Sequence, residues 1–160
     1  MTRSAASAGR RRAAGPIAPP AGRRSAARRL SVAVALAGLG IAGYLTVAHY
    51  AGAAPVCAIA HGCATVQKSA YADLGGVPVA LLGLLGYVAI LGSLAGDGER
   101  ARTVTAVLAF SGFGLSAWLT WIEVGELHAI CIWCVGSALC MTALAGLSAA
   151  RLAWEWDVDR

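Results

Sequence analysis

Four apolar runs constrain this sequence more than any other feature, since each is about the length needed to cross a hydrocarbon core of roughly 30 Å. They cover about residues 30–50, 79–95, 103–122 and 129–150. Hydrophobic residues make up 58% of the chain and charged residues only 13%, which is unlike an ordinary soluble domain. We therefore predict an all-α integral membrane protein, with a four-helix transmembrane bundle over residues 30–152. We favour an uncleaved first helix over an export signal, because the first run exceeds a signal-peptide core and further spans follow.

The basic residues predict the orientation of this bundle. Eight of the thirteen lie in the first thirty positions among Ala, Gly, Ser and Pro, which predicts a disordered tail over residues 1–29 that is attracted to anionic lipids. No aromatic side chain interleaves these arginines, so we do not expect nucleic acid as a partner. The tail, the connection at 96–102 and the end of the chain carry twelve arginines, whereas the other two loops carry only Lys68. The positive-inside rule then puts both termini, including a short tail at 153–160, in the cytoplasm, and loops 51–77 and 123–128 outside the plasma membrane.

The cysteines indicate redox chemistry on the outer side. Cys57 and Cys63 lie in the long outer loop, and Cys131 and Cys134 lie at the outer end of the fourth predicted helix, so both pairs face an oxidising compartment. Cysteines three apart in a helix share a face, and a helix N-terminus lowers a thiol pKa, which predicts a reactive dithiol. The loop pair can pass electrons to it by disulfide exchange. A dithiol at the edge of the hydrocarbon layer is placed to meet a lipid-soluble quinone. Cys140, deeper in the helix, is interpreted as a packing residue.

Other interpretations of the same cysteines stay open. Four thiolates can hold zinc, although two ligands inside a span disfavour such a site, and we expect no metal. A purely structural disulfide between Cys57 and Cys63 is also compatible with an outer loop. The corresponding alternative function is a small non-enzymatic membrane subunit whose disulfides only staple its outer face.

The remaining polar residues carry weaker indications. Ser69 can hydrogen-bond a thiolate or a quinone oxygen, or it can be a plain helix-surface serine. His128 can stabilise a thiolate, or it can simply lie at a helix start. Glu123, Glu126 and Asp73 are predicted to be solvated loop charges. Gly75-Gly76-Val77-Pro78 predicts a turn followed by a proline at a helix entry.

Several ordered motifs resemble bacterial homologues of vitamin K epoxide reductase over about residues 30–150. They are Tyr44-Leu45-Thr46 with His49, then Cys57, Cys63, Ser69 and Gly75-Gly76-Val77-Pro78, then Leu119-Thr120-Trp121-Ile122-Glu123, and finally Ala129-Ile130-Cys131-Ile132-Trp133-Cys134. The spaced cysteine pair precedes the close pair, which is the reverse of the order in disulfide-forming proteins of the DsbB type.

The resemblance implies a quinone-dependent thiol oxidoreductase that supports disulfide formation in secreted proteins. A thioredoxin-like carrier of the DsbA type would deliver electrons to Cys57, freeing Cys63 to attack Cys131 and leaving Cys134 facing the quinone, a menaquinone or a ubiquinone. Ser69 would lie near the quinone or the reactive sulfurs. Many bacterial members carry a fused thioredoxin-like domain, and this sequence continues only briefly after its fourth run, so we expect a separate carrier.

Overall fold

The computed structural model describes residues 21–57, 62–96 and 98–156, and most of them are helical. In chain order the elements are α1 (Ala21–Tyr50), α2 (Cys63–Gln67), a 3₁₀ turn (Ala70–Ala72), β1 (Asp73–Leu74), β2 (Val77–Pro78), α3 (Val79–Leu94), α4 (Glu99–Gly125) and α5 (Ile132–Trp156). The four long helices form a ring in which α1 packs on α3 and α5, and α4 also packs on α3 and α5. The cysteine-bearing loop lies between α1 and α3.

A tyrosine at the centre of the bundle ties three helices together. Tyr87 of α3 is fully buried, and its hydroxyl bonds both the carbonyl and the Oγ of Ser137 of α5, each at 3.0 Å. Gly38 of α1 makes room for the ring, because a Cβ at that position would overlap Tyr87. Small residues at the crossing therefore let α1 and α3 approach closely around a large side chain.

Three of the helices, α1, α4 and α5, are long and apolar enough to cross a membrane. The fourth apolar helix, α3, has 16 residues and measures about 24 Å at 1.5 Å per residue, which is less than the usual span. Large apolar side chains such as Leu36, Leu85, Val107 and Leu139 are exposed on the outside of the bundle. The predicted helical bundle is thus present, and α3 agrees with the apolar run predicted at 79–95, but its 16 residues fall short of the length that identifies a membrane span.

The first helix begins earlier than predicted. α1 starts at Ala21, so residues 21–29, which we predicted to be part of a disordered tail, are helical. Ala and Arg are good helix formers, and extending an existing helix adds a hydrogen bond per residue without a new nucleation cost. Arg28 also donates from Nε to the carbonyl of Leu94, 2.9 Å away at the end of α3. Residues 1–20 and 157–160 of the predicted tails lie outside the described residues.

The second half of the loop is a small hairpin against the end of α1. Gly75 and Gly76 have φ of 62° and 86°, a conformation that glycine adopts without steric cost, and they connect β1 to β2. The turn predicted at Gly75-Gly76-Val77-Pro78 is confirmed. Asp73, predicted to be a solvated loop charge, is exposed, and its Oδ1 lies 3.8 Å from Nε2 of His49, so the hairpin contacts the last turn of α1.

Candidate functional site

The loop cysteines are joined to each other, and one of them is buried. Cys57 and Cys63 form a disulfide with their Cα atoms 6.2 Å apart. Cys57 is partly exposed, whereas Cys63, the first residue of α2, is only 1% exposed. The loop pair therefore presents one sulfur near the surface and the other towards the protein interior. Residues 58–61, including His61, lie outside the described residues.

The Cys-x-x-Cys pair lies at the beginning of α5, and the helix begins three residues later than the sequence suggested. We predicted that the fourth helix would begin at about residue 129, but α5 begins at Ile132, and Cys131 caps it. The carbonyl of Cys131 accepts from the N–H of Val135 at 3.0 Å, and its Sγ accepts from the N–H of Cys134 at 3.4 Å. Both cysteines are free thiols. The pair still meets because a cap side chain turns back over the first turn of its helix.

Hydrogen bonds to sulfur activate Cys131. The Cys134 thiol donates to Cys131, and this bond, together with backbone N–H groups of the first turn, lowers the pKa of the Cys131 thiol below its ordinary value against the opposing effect of burial. A thiolate is the reactive form in disulfide exchange, so the lowered pKa favours Cys131 as the sulfur that exchanges.

The fold brings the two cysteine pairs into one apolar cluster. Cys63, Val66 and Cys131 form its buried centre, Cys131 being 0% exposed, and Cys57 and Cys134 pack around it. The backbones before the two buried cysteines touch, because a Cβ on Gly62 would lie 2.6 Å from the amide nitrogen of Ile130. Glycine at position 62 thus permits the close approach that places Cys63 beside Cys131. In the sequence, the one visible signal for Gly62 is its position directly before a cysteine.

Glu123 is a second residue of the site, and our prediction that it is a solvated loop charge is wrong. α4 continues to Gly125 rather than ending near residue 122, and the chain then folds back so that the N–H of Ala129 donates to the carbonyl of Glu123 at 3.1 Å. This reversal encloses the Glu123 side chain, which is 4% exposed. Its Oε2 accepts from the backbone N–H of Cys131 at 3.1 Å, and the carboxylate is a second acceptor within reach of the Cys134 thiol proton. The only visible signal was an acidic residue directly after an apolar run.

Two aromatic residues hold the backbone next to Cys57. Trp133, inside the Cys-x-x-Cys motif, donates from Nε1 to the carbonyl of Val56 at 2.9 Å, and the Tyr44 hydroxyl accepts from the N–H of Val56 at 2.9 Å. The two rings also contact each other with centroids 4.8 Å apart. The backbone N–H and carbonyl of Val56 are therefore held by α1 and α5, which fixes the position of the neighbouring Cys57 relative to α5.

A cavity of about 290 Å³ opens beside the cysteine cluster. Its lining is mostly apolar and comes from α1, α3, α4, α5 and the loop, with Cys134, Glu123, Ser69 and Tyr71 among the polar groups. Ser69, a predicted quinone contact, lines this cavity, but its hydroxyl donates to the carbonyl of Val66 at 2.7 Å. A mostly apolar cavity with a few polar groups and a thiol on its wall fits the ring of a quinone.

The other residues considered from the sequence lie at the edge of this arrangement. His128 is exposed and has a φ of 47°, so it serves the reversal between α4 and α5. Within residues 21–57, 62–96 and 98–156, no group of three or more His, Cys, Asp or Glu side chains is arranged to hold a metal ion.

A helical membrane protein with a loop disulfide, a free Cys-x-x-Cys pair in the same cluster and an adjoining apolar cavity has the parts of a membrane thiol oxidoreductase. The sequence model of the vitamin K epoxide reductase family matches residues 29–149, and the chain belongs to that family. Members of this family are in general oxidoreductases, associated with quinones and with thioredoxin-like partners. None of the curated proteins compared with the chain matches it.

Proposed function

We propose that this protein is a quinone-dependent thiol oxidoreductase that reoxidises a separate thioredoxin-like carrier and so supports disulfide formation in secreted proteins. The observation that carries the proposal is the shared cluster of Cys63 and Cys131, with Cys134 on the wall of an apolar cavity. This order of sulfurs from the surface to the cavity matches a path for electrons.

The first half of the path uses the loop disulfide. A thiolate of the reduced carrier attacks the sulfur of Cys57, the Cys57–Cys63 bond breaks, and Cys63 leaves as a thiolate. Cys63 then attacks Cys131 of an oxidised Cys131–Cys134 pair, forming a Cys63–Cys131 bond and releasing Cys134. The second thiol of the carrier displaces Cys57, and the carrier leaves as a disulfide.

The second half restores the loop. Cys57 attacks Cys63, the Cys57–Cys63 disulfide forms again, and Cys131 is released as a thiolate. The net result is the transfer of two electrons and two protons from the carrier to Cys131 and Cys134. The described structure, with its loop disulfide and two free active-site thiols, corresponds to the state after this transfer.

The electron acceptor binds in the cavity beside Cys134. A quinone bound there provides the two-electron sink that lets Cys131 and Cys134 form their disulfide again. Cys134 lies on the cavity wall, and Ser69 and Tyr71 on the same wall would orient the ring. A menaquinone and a ubiquinone have the same redox chemistry, so either type is compatible with these groups.

The orientation follows from the arginines. We propose that both termini are cytoplasmic and that the cysteine-bearing end of the bundle faces outward, as the positive-inside rule suggests. A membrane-impermeant thiol reagent, added to intact cells after reduction, is expected to label Cys57. Labelling of Cys57 only after lysis would reverse this topology.

Turnover and trapping test the activity. Purified protein given a reduced thioredoxin-like carrier and a quinone is expected to produce quinol only when all four cysteines are present. The Cys63→Ala variant is expected to accumulate a mixed disulfide between Cys57 and the carrier, because the resolving thiol is missing. Absence of cysteine-dependent turnover would leave the alternative, a non-enzymatic subunit with structural disulfides. Capture of the carrier by Cys63 in a Cys57→Ala variant would reverse the assigned roles.

A further inference from the structure

Glu123 is a buried carboxyl group for which the electron path described above has no role. It lies in the last turn of α4, is 4% exposed, and shares the cavity wall with Cys134. Burying a carboxylate is costly unless it is paired or hydrogen-bonded, so its position beside a reactive dithiol calls for a physical reason.

Its partners are the two sulfur-bearing residues that change during the reaction. Oε2 accepts from the backbone N–H of Cys131, and the carboxylate is, besides the Cys131 sulfur, the other acceptor within reach of the single proton of the Cys134 thiol. The titratable groups next to Glu123 are these two thiols of the α5 terminus, and the phenol of Tyr71 from the loop lines the same cavity. Cys63 is held in its disulfide and does not titrate.

Supporting the active-site backbone would not require a carboxylate. A glutamine could accept from the Cys131 N–H equally well, at a lower cost of burial, because it carries no charge. A carboxylate differs in that it can take a proton, and its second neighbour, the Cys134 thiol, must lose one. The contact with Cys134 therefore points to proton transfer.

Resting on the proposed function, we propose that Glu123 accepts the proton of the Cys134 thiol when Cys131 and Cys134 form their disulfide. Formation of this S–S bond removes two electrons and two protons from the pair. Both electrons end on the quinone acceptor. The proton of Cys134 stays on Glu123 while the disulfide persists and returns to Cys134 when the pair is next reduced. The other proton left Cys131 for the outer aqueous phase when its thiolate formed, and the reduced acceptor takes both of its protons from that phase.

Infrared difference spectroscopy tests this role without any quinone. The full-length protein carrying Cys57→Ala and Cys63→Ala, which leaves a single redox pair, is oxidised from the dithiol state with diamide, an oxidant that takes up two electrons and two protons. We expect the oxidised-minus-reduced spectrum to contain the C=O stretch of a protonated carboxylic acid, sensitive to exchange into D₂O. The band should disappear in Glu123→Gln and persist in Glu126→Gln, the matched control at an exposed carboxylate.

The pH profile of turnover provides a second readout. General acid–base catalysis typically contributes about a hundredfold or more, so Glu123→Gln is expected to lower kcat at neutral pH by at least that factor, with KM for the carrier unchanged. The difference in kcat between Glu123→Gln and the parent should become smaller as the pH rises, because hydroxide can then take the proton of the Cys134 thiol. Glu123→Asp, which keeps the carboxylate, should recover part of the activity.

The outcomes separate this role from the proposed function. A spectrum with no Glu123-dependent carboxylic acid band, or a loss in Glu123→Gln that is equal at every pH, would mean that Glu123 only braces the backbone of Cys131. If Glu123→Gln fails to fold, the carboxylic acid band of the parent protein and its shift in frequency in Glu123→Asp still show whether the residue at position 123 takes the proton. Lack of quinone turnover in the unsubstituted protein would refute the proposed oxidoreductase function. The infrared result would still show whether Glu123 takes a proton, because that experiment uses no quinone.

Discussion

Replacing Gly62 by alanine tests whether the contact between the two backbones holds Cys63 close enough to Cys131 for the two to form a disulfide. An added Cβ would lie 2.6 Å from the nitrogen and 2.7 Å from the oxygen of Ile130, about 0.8 Å closer than the 3.4 Å at which ordinary contact begins. Because both atoms belong to a backbone that is held in a turn, the loop must move. We expect a displacement of somewhat less than 1 Å between Cys63 and Cys131.

A misplacement of about 1 Å can slow a positioned reaction by roughly a hundredfold. The Gly62→Ala variant should therefore form the Cys63–Cys131 bond about ten to a hundred times less favourably than its parent. The assay uses a Cys57→Ala, Cys134→Ala background, in which Cys63 and Cys131 can pair only with each other within the site. The fraction paired is measured by peptide mass spectrometry across glutathione redox buffers, which gives the effective concentration of one thiol at the other.

Gly125→Ala is the matched control, since a Cβ at the end of α4 would meet nothing within 4 Å. It should leave the effective concentration unchanged. If Gly62→Ala pairs Cys63 with Cys131 as readily as the parent does, while retaining its helical content, the close approach at Gly62 does not position these sulfurs and the reasoning fails.

Two further predictions concern the loop and the thiolate. Tyr44→Phe removes the acceptor of the Val56 N–H, so amide hydrogen exchange at Val56 should accelerate by about fivefold, which corresponds to a hydrogen bond of about 1 kcal/mol. Tyr50→Phe, at an exposed tyrosine, is the control and should leave exchange at Val56 unchanged. Equal exchange rates in the two variants would show that the Tyr44 hydroxyl does not hold the Val56 backbone. Because the Cys134 thiol lowers the pKa of Cys131, the Cys131 thiolate should persist to lower pH in the reduced parent than in Cys134→Ala, as followed by ultraviolet thiolate absorbance. An unchanged titration midpoint in that variant would show that Cys134 does not stabilise the Cys131 thiolate.

The parts of the site that are local in sequence could be predicted. The apolar runs indicated a helical membrane protein, and the spacing of Cys131 and Cys134 at the start of a run indicated a dithiol near a helix N-terminus. The Gly75-Gly76 turn followed from glycine's access to positive φ. These features depend on periodicity and on short-range stereochemistry, which the sequence displays directly.

The parts that depend on chain reversals could not be predicted in the same way. Glu123 resembled a loop charge because it is an acidic residue directly after an apolar run, followed closely by Gly125 and Glu126, and its burial arises only when residues 126–131 fold back over it. The bond from Trp133 to Val56 joins residues 77 positions apart, so no local pattern could indicate it. The helical state of residues 21–29 reflects continuation of α1 against the end of α3, a tertiary effect that outweighs a composition typical of disorder.

The most direct test of the central claim is to follow both disulfides in time. Fully reduced protein receives one equivalent of quinone, the reaction is quenched with an alkylating reagent at increasing times, and the disulfides are mapped by mass spectrometry. The relay predicts that the Cys131–Cys134 bond appears first and that the Cys57–Cys63 bond then grows at its expense, while a Cys131→Ala variant keeps its loop cysteines reduced. Formation of the Cys57–Cys63 bond in Cys131→Ala at the parent's rate would contradict it, because the loop pair would then reach the quinone without the active-site dithiol.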